Sequence, residues 1–254
     1  MEKQMNAYET LNKLVEMKFT GMAQALKTSM ETGRGESYTA DELVAFLVDS
    51  EWEERQNKRL DRLVKKAKFR YFSTFEELSF NMQRSLDKNL CLRLSTGQFI
   101  KKGESVLITG PTGVGKSFLA SALGNQACVK GYKVLYFNMG KLFDQLRIFQ
   151  ADGSYAKEVE KIAKTDLLIL DDFGMKSFNN QQRMMLMEII EDRHGRASTI
   201  ITSQHPVKNW YEIIGEATLA DAILDRLVHS AHEIKISGES MRKKHAKKID
   251  FKEK

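Results

Sequence analysis

The octapeptide GPTGVGKS, Gly110–Ser117, sets two glycines, a lysine and a hydroxyl at the spacing G-x4-G-K-[ST]. Glycines let the backbone curl so that successive N–H groups face one anion. A helix beginning at the lysine adds the positive end of its dipole. The chemistry such a loop performs is triphosphate binding. Lys116 reaches the β and γ phosphates of ATP, and the Ser117 hydroxyl ligates the accompanying Mg2+. The ATP-binding stretch is thus Gly110, Pro111, Thr112, Gly113, Val114, Gly115, Lys116, Ser117 and Phe118.

A second constellation is LLILDD, Leu167–Asp172, an apolar run that ends in two carboxylates. Beside a phosphate loop, Asp171 would hold the metal directly or through a water, and Asp172 would orient or deprotonate the attacking water. The competing reading is a pair of solvated carboxylates at a strand end.

Both motifs need elements to hold them. SVLITG leads into the loop as a strand and FLASALGNQACVKG leads out as a helix. KVLYFN, LLILDD, TIITS and EIKI are further strand-like runs with helical patterns between them. Continuous rather than alternating apolar runs mean strands covered on both faces. Alternation of strand and helix with right-handed crossovers then gives an α/β fold, a three-layer sandwich on a five-stranded parallel sheet.

Residues 1–68 read differently. Leu11, Leu14, Val15, Met22, Ala25 and Leu26 recur near the helical period. Turn residues Gly33 and Gly35 interrupt, and Thr39 with Glu42 opens a further helix as a capping box. The expected organisation is a small helical domain over 1–68, for oligomerisation or DNA contact, and an ATPase domain over 69–254. The aromatic-rich FRYFSTFEELSF begins the second.

The net charge of +6 is unevenly placed. Between Arg55 and Arg70 stand eight Lys or Arg against one Asp, and between Met241 and Lys254 seven against two acids. Such blocks suit polyphosphate partners, although each also fits a solvated helix face or tail. Arg55, Lys58, Arg59, Arg62, Lys65 and Lys66 are the candidate DNA contacts of the first block. No apolar run is long enough for a membrane span, the N-terminus lacks a signal-type apolar region, and Cys91 and Cys128 are isolated. A cytoplasmic chain without disulfides or a cysteine-bound metal is expected.

GPTGVGKSFLASALG, DLLILDDFG, STIITSQ and AILDRLVHSAHEIKISGESMRKK, with LVEMKFTGMAQAL and ELVAFLVDSEWEERQNKRLDRLVKKAKF ahead of them, resemble the IstB-type transposition ATPases of bacterial insertion sequences. These are AAA+ proteins close to the DnaC helicase loaders and the DnaA initiator, and the resemblance covers nearly the whole chain.

The resemblance implies roles for particular residues. Ser203 would be the sensor I polar residue, with Thr202 the neighbouring register. Arg226 in DRL would be an arginine finger reaching the ATP of an adjacent subunit, or else pair with Asp225 or Asp221 on its own helix. Arg242 in GESMR would be sensor II, or part of a basic tail, since the remaining chain is too short for a full AAA+ lid. Lys141, Arg147, Lys157 and Lys161 follow the second core strand, where initiator-type relatives face DNA. Asp171-Asp172 stands where many AAA+ proteins have Asp-Glu, which implies slow basal hydrolysis.

The function implied is an ATPase that assembles as a homo-oligomer on duplex target DNA, engages the transposase of its element and assists transposition. A DnaC-like helicase loader on single-stranded DNA is the alternative. A P-loop kinase would need an arginine-rich lid, and no segment has that composition.

Overall fold

The computed structural model describes residues 2–33, 37–78, 80 and 85–241. Contacts divide it into two units, Met1–Arg62 and Leu63–Lys254.

The first unit comprises helices α1 (Glu2–Glu16), α2 (Thr20–Thr32) and the greater part of α3 (Ala40–Ala67). The expected capping box forms at the head of α3. Thr39 N donates to Glu42 Oε2 at 2.8 Å, and Glu42 N donates to Thr39 Oγ1 at 3.3 Å. Phe19 precedes α2 and has no polar side chain, so α2 takes its cap from elsewhere. Glu51 of α3 supplies it, accepting Gly21 N at 2.7 Å and Met22 N at 3.2 Å. A Cβ on Gly21 would lie 2.5 Å from Ser50 O, so only glycine permits α2 and α3 to meet backbone to backbone. The helix α3 runs unbroken past Arg62, and its final residues belong to the second unit.

In the second unit, α4 (Lys88–Ser95) and α5 (Gln98–Lys101) precede β1 (Val106–Thr109). There follow α6 (Lys116–Val129), β2 (Val134–Asn138), α7 (Met139–Ala151), α8 (Tyr155–Ala163) and β3 (Leu167–Phe173). The rest is α9 (Asn180–Arg193), β4 (Ser198–Ser203), α10 (Trp210–Ile214), α11 (Ala217–Val228) and β5 (His232–Lys235).

All five expected strands form one parallel sheet in the order β2-β3-β4-β1-β5. Every residue of β1 and β4 is buried, which is why their sequences show no polar alternation. Arg193 is buried here and, among the described residues, has no carboxylate within 4.0 Å, the Asp166 charge acting on it from farther off. It donates to the carbonyls of Ile162 and Thr165 (2.7 Å each) and Ser198, and to the Thr199 hydroxyl, tying the ends of α8, α9 and β4 together. Burial draws its pKa down to about 10. Burial also pushes the Cys91 thiol up to about 11 and the Cys128 thiol up to about 12, which favours the protonated form of both. Among the described residues no helix is long and apolar enough to cross a membrane.

Candidate nucleotide site

The loop Gly110–Gly115 leaves β1 and delivers the chain into α6 at Lys116. Gly110 has φ +149°, and a Cβ there would stand 2.1 Å from Ile236 O, so the loop lies directly against the end of β5. The Lys116 ammonium is buried and donates to Gly110 O and Pro111 O, both at 2.8 Å, which holds it at the mouth of the loop. Gly113 O accepts Met241 N at 2.9 Å, so the GESM segment rests on the loop as well.

The acidic pair closes the opposite side. Asp171 is fully buried at the end of β3. Ser117 Oγ donates to its Oδ1 at 2.8 Å, and the hydroxyls of Tyr136 and Thr202 donate to its two oxygens. Burial, and then the Asp171 charge, hold the Tyr136 phenol well above its ordinary pKa, so it remains a donor. Ser117 and Asp171 offer hard oxygen ligands on one spot, the donor set that suits Mg2+ carrying phosphate and water ligands.

Asp172 is reached by a break in the strand. The β3–β4 register shifts between Leu170 and Phe173, and Asp172 adopts φ +61°. In an unbroken strand adjacent side chains point to opposite faces. The bulge turns Asp172 back toward the loop, where it is partly open to solvent. Its Oδ2 accepts Asn138 Nδ2 at 2.9 Å and Arg70 Nη1 at 3.0 Å. Its N–H donates to Thr202 Oγ1 at 3.1 Å. A cavity of about 700 Å3 lies between loop and acids. Arg70, Tyr71, Thr112, Lys116, Asp172 and Gln204 are among the residues that line it.

The structure therefore gathers Lys116, Ser117, Asp171 and Asp172 into one site. Ser203 stands apart from it. Its Oγ donates to Phe173 O at 2.8 Å and accepts His205 N at 3.1 Å, so it fastens the bulge while Thr202 faces the carboxylates. Arg226 does not line the cavity of its own chain. It pairs with Glu191 of α9 at 2.5 Å and donates to Ala222 O at 2.9 Å, instead of meeting Asp221 or Asp225. Arg242 lies outside the described residues.

The candidate DNA contacts are spread over both units. Arg55 pairs with Glu51 at 2.6 Å and lies over the Phe19 ring; Lys58 pairs with Glu54 at 3.1 Å. Arg62 Nε donates to Lys58 O at 3.3 Å, and Arg59 is exposed. Lys141 and Arg147 are exposed on α7. Lys65, Lys66, Lys157 and Lys161 line a different cavity.

Four polar residues at the site carry no motif of their own: Arg70, Tyr136, Asn138 and Gln204. Asn138 had a signal to offer. It is a polar residue at the C-terminal end of a parallel strand, and it pairs in register with Asp171. Gln204 Oε1 accepts the Thr112 hydroxyl at 2.6 Å, one residue beyond the strand that carries Thr202.

A phosphate loop between β1 and α6, facing acids at the end of β3 in a sheet of this strand order, defines a P-loop core of the AAA+ class. Within that class the chain belongs to the family of IstB-like ATP binding proteins, whose sequence profile matches residues 12–249. It is 44% identical to protein y4pL of Sinorhizobium fredii, over 96% of this chain and 100% of that one. It is 42% identical to a Pseudomonas fluorescens protein, over 80% of this chain and 88% of the other. The names of both refer to ATP binding and to insertion sequences, IS1162 in the second case. Among solved structures, the DnaC helicase loader matches with a TM-score of 0.54 at 21% identity, covering 65% of this chain and 96% of that one. DnaA of Aquifex aeolicus bound to AMPPCP matches with 0.56 at 18% identity, covering 72% and 57%. At such identities the likeness shows the fold.

Proposed function

We propose that this protein hydrolyses ATP and uses the nucleotide to assemble on duplex DNA, where it assists transposition together with the transposase of its element. The observation that carries the reading is that Lys116, Ser117 and Asp172 line one cavity, with Asp171 buried behind Ser117 and hydrogen-bonded to it, in a chain whose relatives are named for insertion sequences.

Lys116 exchanges the loop carbonyls for the β and γ phosphates, and the loop N–H groups hold their oxygens. Ser117 and Asp171 hold Mg2+, which when bound draws charge off the phosphates. Asp172 aligns a water whose oxygen bonds to the γ-phosphorus as the bond from that phosphorus to the β–γ bridging oxygen breaks; the carboxylate takes the water's proton and passes it to the departing inorganic phosphate, and ADP leaves with the bridging oxygen. Asn138 Nδ2 donates to that carboxylate, while Thr202 Oγ1 accepts the Asp172 backbone N–H and so fixes the residue's position. Arg226 acts on the ATP of a neighbouring subunit, which makes the homo-oligomer part of the machinery. Lys141 and Arg147 meet the phosphate backbone.

The test is phosphate release with and without duplex or single-stranded DNA, alongside fluorescence anisotropy of each labelled DNA at several salt concentrations. Hydrolysis stimulated by duplex, with tighter binding of duplex in ATP than in ADP, supports the reading. Preference for a single strand moves it to a helicase loader, and absence of hydrolysis under every condition overturns it.

A further inference from the structure

Strand β2 is one of the two edge strands of the sheet, and its free edge opens on a second cavity of about 980 Å3. Leu63, Ala67, Leu135, Phe137, Ile148 and Phe149 give the groove an apolar floor. Its rim carries seven lysines against two glutamates. Lys161 and Lys164 are paired with those glutamates, Glu158 and Glu160. Among the described residues, the other five lysines have no carboxylate within 4.0 Å.

The helical unit presents the complement. Residues 40–54, ADELVAFLVDSEWEE, contain six carboxylates and no cation; Glu51 is buried against α2 and paired with Arg55, and Glu54 is paired with Lys58, which leaves Asp41, Glu42, Asp49 and Glu53 without an ion-pair partner among the described residues. Val44, Val48 and Trp52 follow at i, i+4 and i+8 and so form one ridge along α3. They are 60%, 48% and 63% exposed, where a helix in a finished core would bury them. Asp41 lies within the same stripe, and Asp49 and Glu53 run along its flank.

We infer that the acidic ridge of α3 docks in the lysine-rimmed groove beside β2 of a second copy of this chain. The inference rests on the oligomeric reading above and names a contact that builds the oligomer. A DNA backbone would meet the lysines and gain nothing from Leu63, Phe137 and Phe149. An amphipathic acidic helix satisfies both halves, with Val44, Val48 and Trp52 on the floor and carboxylates against the rim. Ridge and groove are different surfaces, so the contact is heterologous. Each copy that docks its ridge leaves its groove for the next, and assembly propagates into a ring or a helical array.

The experiment is sedimentation of the full chain with ATP and duplex, read together with Trp52 emission. Trp210 is fully buried and gives a constant background. One variant reverses the ridge (Asp49→Lys with Glu53→Lys), and another reverses the groove (Lys133→Glu with Lys164→Glu). The wild type assembles and its Trp52 emission shifts to the blue. Each variant alone needs about tenfold or more higher concentration to assemble. An equimolar mixture of the two recovers assembly and the blue shift, because each reversed ridge now faces a reversed groove; this recovery also shows that both variants are folded. Assembly untouched by either variant, or a mixture that does not recover, overturns the inference while the ATPase reading stands. Assembly that persists while the groove variant alone loses duplex binding gives the groove to DNA and overturns it too. A wild type that does not assemble at all removes the parent reading and the inference together.

Discussion

Arg70 Nη1 lies 3.0 Å from Asp172 Oδ2, and the same nitrogen lies 3.3 Å from Asp171 Oδ2. Two consecutive strand residues meet one guanidinium only because Asp172 is left-handed at the bulge. The two acids, to which the proposed function gives the metal and the water, are thereby held by a cation that also lines the cavity beside the phosphate loop.

Arg70 is accordingly expected to contribute positive charge to triphosphate binding. Arg70→Ala is expected to weaken ATP binding about tenfold in isothermal titration with Mg2+ present. Arg70→Lys recovers only part of this, since an ammonium cannot present two parallel donors. An unchanged Kd in Arg70→Ala would confine the residue to neutralising the acids.

Thr202 and Ser203 are adjacent, and their substitutions should separate. Thr202→Val removes the hydroxyl that touches Asp171 and the Asp172 N–H, and lowers kcat by about tenfold or more with little change in ATP affinity. Ser203→Ala releases Phe173 O and His205 N and costs about 1 kcal/mol of stability, with hydrolysis near that of the wild type. Steady-state kinetics and thermal melts of both variants decide; the opposite pattern would give the sensor role back to Ser203.

Glu51 makes the helical unit sensitive to acid. Burial works to raise its pKa, but hydrogen bonds from Arg55, Met22 N and Gly21 N outweigh it, and the folded value falls below the ordinary 4.5. Its stabilisation is therefore complete above that ordinary value and is lost as pH drops through the lower folded value. Glu51→Gln is expected to cost about 1–3 kcal/mol at neutral pH and to flatten the acid limb of the stability curve. Denaturant melts of both proteins across that limb provide the check, and parallel curves would contradict it.

How much of this was legible in the sequence follows from how local each feature is. The phosphate loop is a run of consecutive residues whose spacing its chemistry dictates, so Gly110–Ser117 could be read directly, as could the Thr39–Glu42 capping box. The five strands were legible because a doubly covered sheet demands continuous apolar runs. Side-chain direction at Thr202 and Ser203 was not, because every residue of STIITS is buried and no alternation marks which face is which. Nor was the bulge at Asp172, which depends on β4 as well as β3. Arg70 meets Asp171 across 101 positions of sequence, and no local pattern in FRYF announces such a partner. The basic block reads in sequence as one set of candidate DNA contacts; in the fold Arg55 and Lys58 are bound to glutamates, and Lys65 and Lys66 line the groove.

The measurement that bears most directly on the ATPase is sedimentation of the wild type and Asp172→Asn with duplex DNA, each in ATP and in ADP, with phosphate release followed in parallel. Asp172→Asn keeps the loop and the Ser117–Asp171 contact but loses the carboxylate that aligns water, so hydrolysis should fall by about 10²–10⁴-fold. The assembly should form in ATP, persist in the variant and dissolve in ADP. Unimpaired hydrolysis by Asp172→Asn, or assembly indifferent to which nucleotide is present, would contradict the roles given to Asp172 and to ATP.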